Sequence, residues 1–241
     1  MENKFRLITR SDMDGLVCGT LLKYLGVIDE IKFVHPKDMQ DGKVEVTSQD
    51  ITTNLPYVEG VHLCFDHHYS ETLRNIKYEN HIIDADAASA AQVVYDYYKL
   101  GVDFPSFYSE MMIGVNKADS ADFTIAEVLE PKGWALLSFI MDSRTGLGRF
   151  KDFEVSNYDL MMNLIDYCKD HKIDDIESEM SDVLDSKKAE NLSQEDELDA
   201  LFGNEEDTEI GVDEELPSFE DVVEEKINLE KVDFFRRELK K

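Results

Sequence analysis

Short apolar runs alternate with helix-patterned stretches through the first part of the chain, and that alternation constrains the fold more than any other feature. KFRLITR reads as a strand that stops in the turn SDMDG, and LVCGTLLKYLGV then carries apolar residues at helical spacing. IKFVH, VHLCF and HIIDA read as further strands, and AASAAQVVYDYYKL, ALLSFIM and YDLMMNLIDYC as further helices. Strands separated by helices pair in parallel, because a crossover returns the chain to the edge from which it left. The expected class is therefore α/β, a mostly parallel sheet flanked by helices, with any site on the rim formed by the carboxyl ends of the strands.

The chain has 241 residues, 42% of them hydrophobic, which is enough for one sizeable domain with an appendage. No apolar run is long enough to cross a bilayer, and the N-terminal MENKFRLITRSDMDG has no apolar core of a secretory signal. Cys18, Cys64 and Cys168 are widely spaced, with no C-x-x-C pair, so reduced buried thiols and a cytoplasmic location are expected.

The net charge of −28 is concentrated late in the sequence: Asp174 to Glu225 holds 22 acidic residues and two lysines. Such a balance argues against duplex nucleic acid, which needs basic residues to neutralise phosphates. It leaves room for a small phosphorylated substrate, where bound cations supply the positive charge. The expected organisation is a domain over residues 1–175, an acidic flexible segment over 176–225, and a short C-terminal helix over 226–241. LDALF, Leu198 to Phe202, is an apolar island in the acidic segment. Like the C-terminal helix, it is suited to docking on this domain or on a protein partner.

Two turns carry the chemistry. SDMDG sets Asp12 and Asp14 two residues apart at the end of the first strand, where converging carboxylates repel unless a cation lies between them. FDHH, after a later strand, brings Asp66, His67 and His68 to the same rim. Mixed carboxylate and imidazole donors suit manganese, iron or cobalt better than calcium or structural zinc.

These motifs resemble those of the DHH phosphoesterase superfamily: SDMDG is similar to its first motif, FDHH to its third, and DADAASAAQVVYDYY to the small-residue helix that follows. The resemblance runs from about Lys4 to His171, and VHPKDMQDGKVEVTSQDITTNLPY and DSRTGLGRF look most like the exopolyphosphatase-like branch. It implies a metal-dependent hydrolase of phosphoester or phosphoanhydride bonds, with two Mn2+ ions, or Mg2+ or Co2+ in their place, activating a water.

It further implies that Asp12 and Asp14 bind separate metals, that His67 ligates one of them, and that Asp66 orients the histidine pair. His68 would face the substrate as the acid for the leaving oxygen. For the bridging aspartate of the second motif the expectation is Asp50, with Asp41 as fallback, and for the fourth motif Asp119, ahead of Asp122 and Asp142. Arg144 is expected to clamp a phosphate, and Ser89 and His35 to line the rim. Substrates consistent with the resemblance are polyphosphate, pyrophosphate, short oligonucleotides and cyclic dinucleotides.

The sequence departs from the superfamily pattern in two places. Where many relatives carry a histidine two residues before the first motif aspartate this chain has Arg10, with Ile8 at the earlier alternative position, so the first metal is expected to lack a ligand. The usual second domain with its Gly-Gly-Gly-His segment is not found in these 241 residues. A lid borrowed from a second copy, in a homodimer, is one way to close such a site. The rival expectation is a catalytically retired domain acting as a binding module through its tail. There LSQEDELDALFG, Leu192 to Gly203, is similar to the N-terminal segment of flagellar motor switch proteins.

Overall fold

The computed structural model describes residues 4–73, 77–142 and 156–179. The elements run β1 (Phe5–Thr9), α1 (Met13–Tyr24), β2 (Ile28–Phe33), α2 (Pro36–Gln40), β3 (Asp50–Thr53), β4 (Leu63–Asp66), α3 (Tyr69–Thr72) and β5 (His81–Ile83). They continue with α4 (Ala90–Tyr98), α5 (Tyr108–Asp119), α6 (Ile125–Leu129), α7 (Gly133–Met141), α8 (Asn157–Cys168) and α9 (Ile173–Glu179). The five strands form one sheet in the order β2-β1-β3-β4-β5, and every pairing is parallel. The α/β class expected from the sequence is the class observed.

The chain leaves β1 towards β2 on one side and resumes with β3 on the other, so the strand order reverses between β1 and β3. Outside the carboxyl ends of two such strands the following loops diverge and leave a crevice, where ligands of open α/β sheets bind. Both motif turns open on that rim: SDMDG follows β1 and DHH closes β4.

The two faces of the sheet are covered unequally. Leu7 and Ile8 are both fully buried, but as neighbours on a strand they point to opposite faces. Leu7 joins the large core with α1, α4, α5, α7 and α8, whereas Ile8 packs with Met39 and Leu55 in a small cluster on the other side. Every residue of α1 from Met13 to Leu22 is buried. A helix apolar on all sides is stable only when surrounded, and α1 packs against α4, α5, α7 and α8. Each fully buried leucine in that layer contributes about 1.5–3 kcal/mol relative to an exposed one.

Two central elements were absent from the sequence expectation. β3 has a single aliphatic residue in DITT, yet all four of its residues are buried between β1 and β4. α5 buries Tyr108, Met111, Met112 and Val115, one stripe at helical spacing. The boundary expected at residue 175 falls inside α9, whose Ile176 is buried against the core. The expected acidic segment beyond 179 and the helix over 226–241 lie outside the described residues. Among the described residues no helix is long and apolar enough to cross a membrane.

Candidate metal centre

The turn after β1 is built around Asp12 and Gly15. Asp12 caps α1 with extended backbone (φ −142°), and its Oδ1 accepts from the Gly15 amide at 2.9 Å. A Cβ on Gly15 would sit 2.0 Å from the Arg10 carbonyl oxygen, so only glycine lets the chain turn this tightly. Asp12 also accepts from Asn54 Nδ2, 3.3 Å from each oxygen, and its Oδ2 lies 3.1 Å from Arg10 Nε.

Asp14, one turn into the core, is 1% exposed. Its two oxygens accept from the first amides of α4, Ala91 N at 2.7 Å and Ala90 N at 3.0 Å. The small residues of AASAA let the start of α4 approach that closely, and its unpaired amides and helix dipole favour the anion. Desolvation nevertheless pushes the Asp14 carboxyl above its ordinary range, and the neighbouring Asp119 and Asp12 charges add to the shift.

The end of β4 supplies the histidines. The fully buried Asp66 accepts through Oδ1 from the His67 amide at 2.9 Å, the His68 amide at 3.3 Å and His68 Nδ1 at 2.7 Å. That hydrogen bond raises the His68 pKa, against the opposing effect of burial. The His68 side chain is 42% exposed, so its other ring nitrogen is available to a ligand. His67 is aimed inwards. Its Nδ1 lies 3.3 Å from the Ala87 carbonyl, and its Nε2 lies 3.0 Å from Asp119 Oδ2 at the end of α5. The His67–Asp119 contact has the distance of an ion pair without the alignment of a good hydrogen bond, and Nε2 is left unsatisfied. Burial alone would lower the His67 pKa, but Asp119 and Asp14 more than offset it and hold the ring protonated.

Asp14, His67 and Asp119 thus offer three donor atoms within 4.8 Å of one another. These residues fit a divalent ion. The donor set is mixed carboxylate and imidazole, the carboxylates repel without a cation, and the buried His67 Nε2 has no hydrogen-bond partner. The ion would supply the positive charge that these atoms lack.

Of the residues expected from the sequence, the structure brings Asp12, Asp14, Asp66, His67, His68 and Asp119 to one rim. Asp119 joins the cluster; Asp122 and Asp142 do not. Asp50 is not among the three clustered donors. It starts β3, and the strand carries the chain roughly 10 Å further before the rim is reached. There its carboxylate is taken by Arg6 Nε at 2.7 Å and the Thr47 amide at 2.6 Å. Asp41 pairs with Lys37 and Lys43 at the end of α2. Ser89, fully buried, caps α4 and donates to Asn116 Oδ1 at 2.7 Å. His35 caps α2. Arg144 lies outside the described residues.

The residue that the sequence reading missed is Asn54, which follows β3 in a left-handed conformation (φ +54°) and reaches Asp12. Asparagine tolerates that conformation better than most residues.

The chain is 56% identical to a solved structure, the pGpG-specific phosphodiesterase PggH from Vibrio cholerae, with a TM-score of 0.65. The match covers 72% of this chain. The chain belongs to the DHH phosphoesterase superfamily. As a DHH protein it spans about half of that relative, 55% of its length. An uncharacterized protein from Helicobacter pylori G27 is 12% identical, with a TM-score of 0.40 over 68% of this chain and 56% of that one, too remote to bear on the DHH site. No protein-family model and no curated protein matches the chain.

Proposed function

We propose that the chain hydrolyses the phosphodiester of a short linear dinucleotide, with pGpG as the first candidate. The observation that carries this reading is the Asp14–His67–Asp119 cluster with the half-exposed His68 beside it, on the rim at the point where the strand order reverses. The substrate class is supported by the relative, whose name gives pGpG as what it acts on. The ion proposed is manganese, on the chemistry of the donors, with magnesium and cobalt as comparators.

When bound, the ion supplies Lewis-acid charge to the phosphate oxygens and makes a water nucleophilic at neutral pH. The protein does the rest. Asp14 and Asp119 keep two carboxylates convergent, and the α4 amides fix the first of them. Asp66 fixes the ring of His68 through Nδ1, leaving Nε2 to hold a proton towards the substrate. Attack of water on phosphorus forms one P–O bond and breaks the internucleotide one; the leaving sugar oxygen takes the His68 proton, and a dinucleotide yields two mononucleotides. A dinucleotide is also a smaller charge burden than polyphosphate for a chain of net charge −28.

The test is chromatographic release of GMP from pGpG by the full chain, with manganese and with chelator, beside the His67→Ala/His68→Ala variant and a polyphosphate control. Manganese-dependent release that drops by about a thousandfold or more in the variant is expected. Equal turnover in the variant, or in chelator, would sink the assignment. Turnover of polyphosphate alone would move the substrate to the exopolyphosphatase-like reading.

A further inference from the structure

Asp12 stands beside the cluster but is engaged differently from its neighbours. Both of its oxygens already face N–H donors, Gly15 N at Oδ1 and Asn54 Nδ2 at both, and Oδ2 is in ion-pair contact with Arg10 Nε at 3.1 Å. A carboxylate that binds a cation turns lone pairs towards it, whereas this one is occupied by an amide on one side and a guanidinium on the other. The residue facing it across the switch point is the neutral Asn54, with an amide where a carboxylate would attract a further ion. The charge on Asp12 is balanced by Arg10.

We propose, building on the phosphodiesterase reading, that the centre holds one divalent cation, on Asp14, His67 and Asp119, and that Arg10 is the second positive charge, gripping a substrate phosphate. Asp12 and Asn54 are positioning residues for it. Arg10 stands with Nε 3.1 Å from Asp12 Oδ2, and 39% of its side chain is accessible. A guanidinium held beside a carboxylate and half open to solvent can offer its flat fork of N–H groups, which matches two oxygens of a phosphate. Asn54 holds Asp12 from the other side, fully buried and in a left-handed conformation that fixes its backbone.

The test has two readings on the full chain. The first is the manganese count, by electron paramagnetic resonance titration at neutral pH after chelator treatment. One tightly held ion per chain is expected, lost in Asp14→Ala; two ions of comparable affinity, or none, would overturn the proposal. The second is calorimetric binding of pGpG to the chelator-treated chain. Arg10→Gln should weaken it about tenfold or more, Arg10→Lys should recover part of the loss, and both should leave the manganese count at one. Unchanged pGpG affinity in Arg10→Gln, or no binding by the unsubstituted chain, overturns the role of Arg10. A folded variant is verified by its melting curve, and Arg10→Lys keeps the test decisive should Arg10→Gln not fold. Absence of turnover with one ion bound would count against the hydrolytic reading and leave the cation count standing.

Discussion

At Asp50 a carboxylate that resembles a metal ligand in sequence is held by an arginine and a threonine in the fold. Burial works to raise its pKa, but Arg6 and two hydrogen bonds from Thr47 overcome that and hold the carboxyl below its ordinary value. A folded-state value below the unfolded value of about 3.9 stabilises the fold fully above that pH, and the stabilisation is lost as pH falls through the lower folded value. Asp50→Ala should therefore cost on the order of 2 kcal/mol at neutral pH and flatten the acid limb of the stability curve. Urea unfolding at pH 7 and pH 3 measures both effects. Manganese binding by the variant should be unchanged; its loss would return Asp50 to the metal centre.

At the level of elements, the two motif turns were legible because their chemistry is local. D-x-D-G must cap a helix through its first aspartate and turn on its glycine, and D-H-H must end a strand in polar groups. β3 was illegible for the opposite reason. Thr53 is buried with its polar groups partnered across the sheet, its Oγ1 donating to Thr9 Oγ1 at 2.8 Å and its carbonyl accepting from Thr9 Oγ1 at 3.2 Å. Without the neighbouring strand DITT looks like a polar loop. α5 hid differently: its buried stripe is spaced correctly but is made of tyrosine, methionine and valine within a polar sequence. The turn that positions Asp12 and Asp14 can be tested directly. Gly15→Ala places a Cβ 2.0 Å from one backbone oxygen and 2.9 Å from Thr9 Oγ1, and backbone cannot yield as a flexible side chain does. The expected result is a loss of about 3 kcal/mol in urea unfolding together with weakened manganese binding. Wild-type values for both would mean that the turn relaxes without moving the aspartates.

Across the whole molecule, acidic charge and metal site act on stability in ways that one experiment separates. A chain of net charge −28 is stabilised non-specifically by any divalent salt, whereas the Asp14–His67–Asp119 cluster responds only to an ion that it ligates. At a free concentration one hundred times the dissociation constant, a ligated ion stabilises the folded state by about 2.7 kcal/mol. For a domain of this size that is a rise in Tm of roughly 5–10 °C. His67→Ala should abolish this increment and keep only the salt effect. The sign with pH follows from the protons that the ion displaces. In the metal-free site the pKa values of Asp14 and His67 are both raised, so each holds a proton that its ligating form must release. The His67 contribution to metal-free stability is complete below the unfolded histidine value of about 6.5 and is lost as pH rises through the raised folded value. Metal-dependent stability runs the other way, weak in acid and growing as the protons leave. The manganese-induced rise in Tm should accordingly be larger at pH 8 than at pH 6, and a rise of the same size at both, or one that persists in His67→Ala, would show that the ion is held elsewhere.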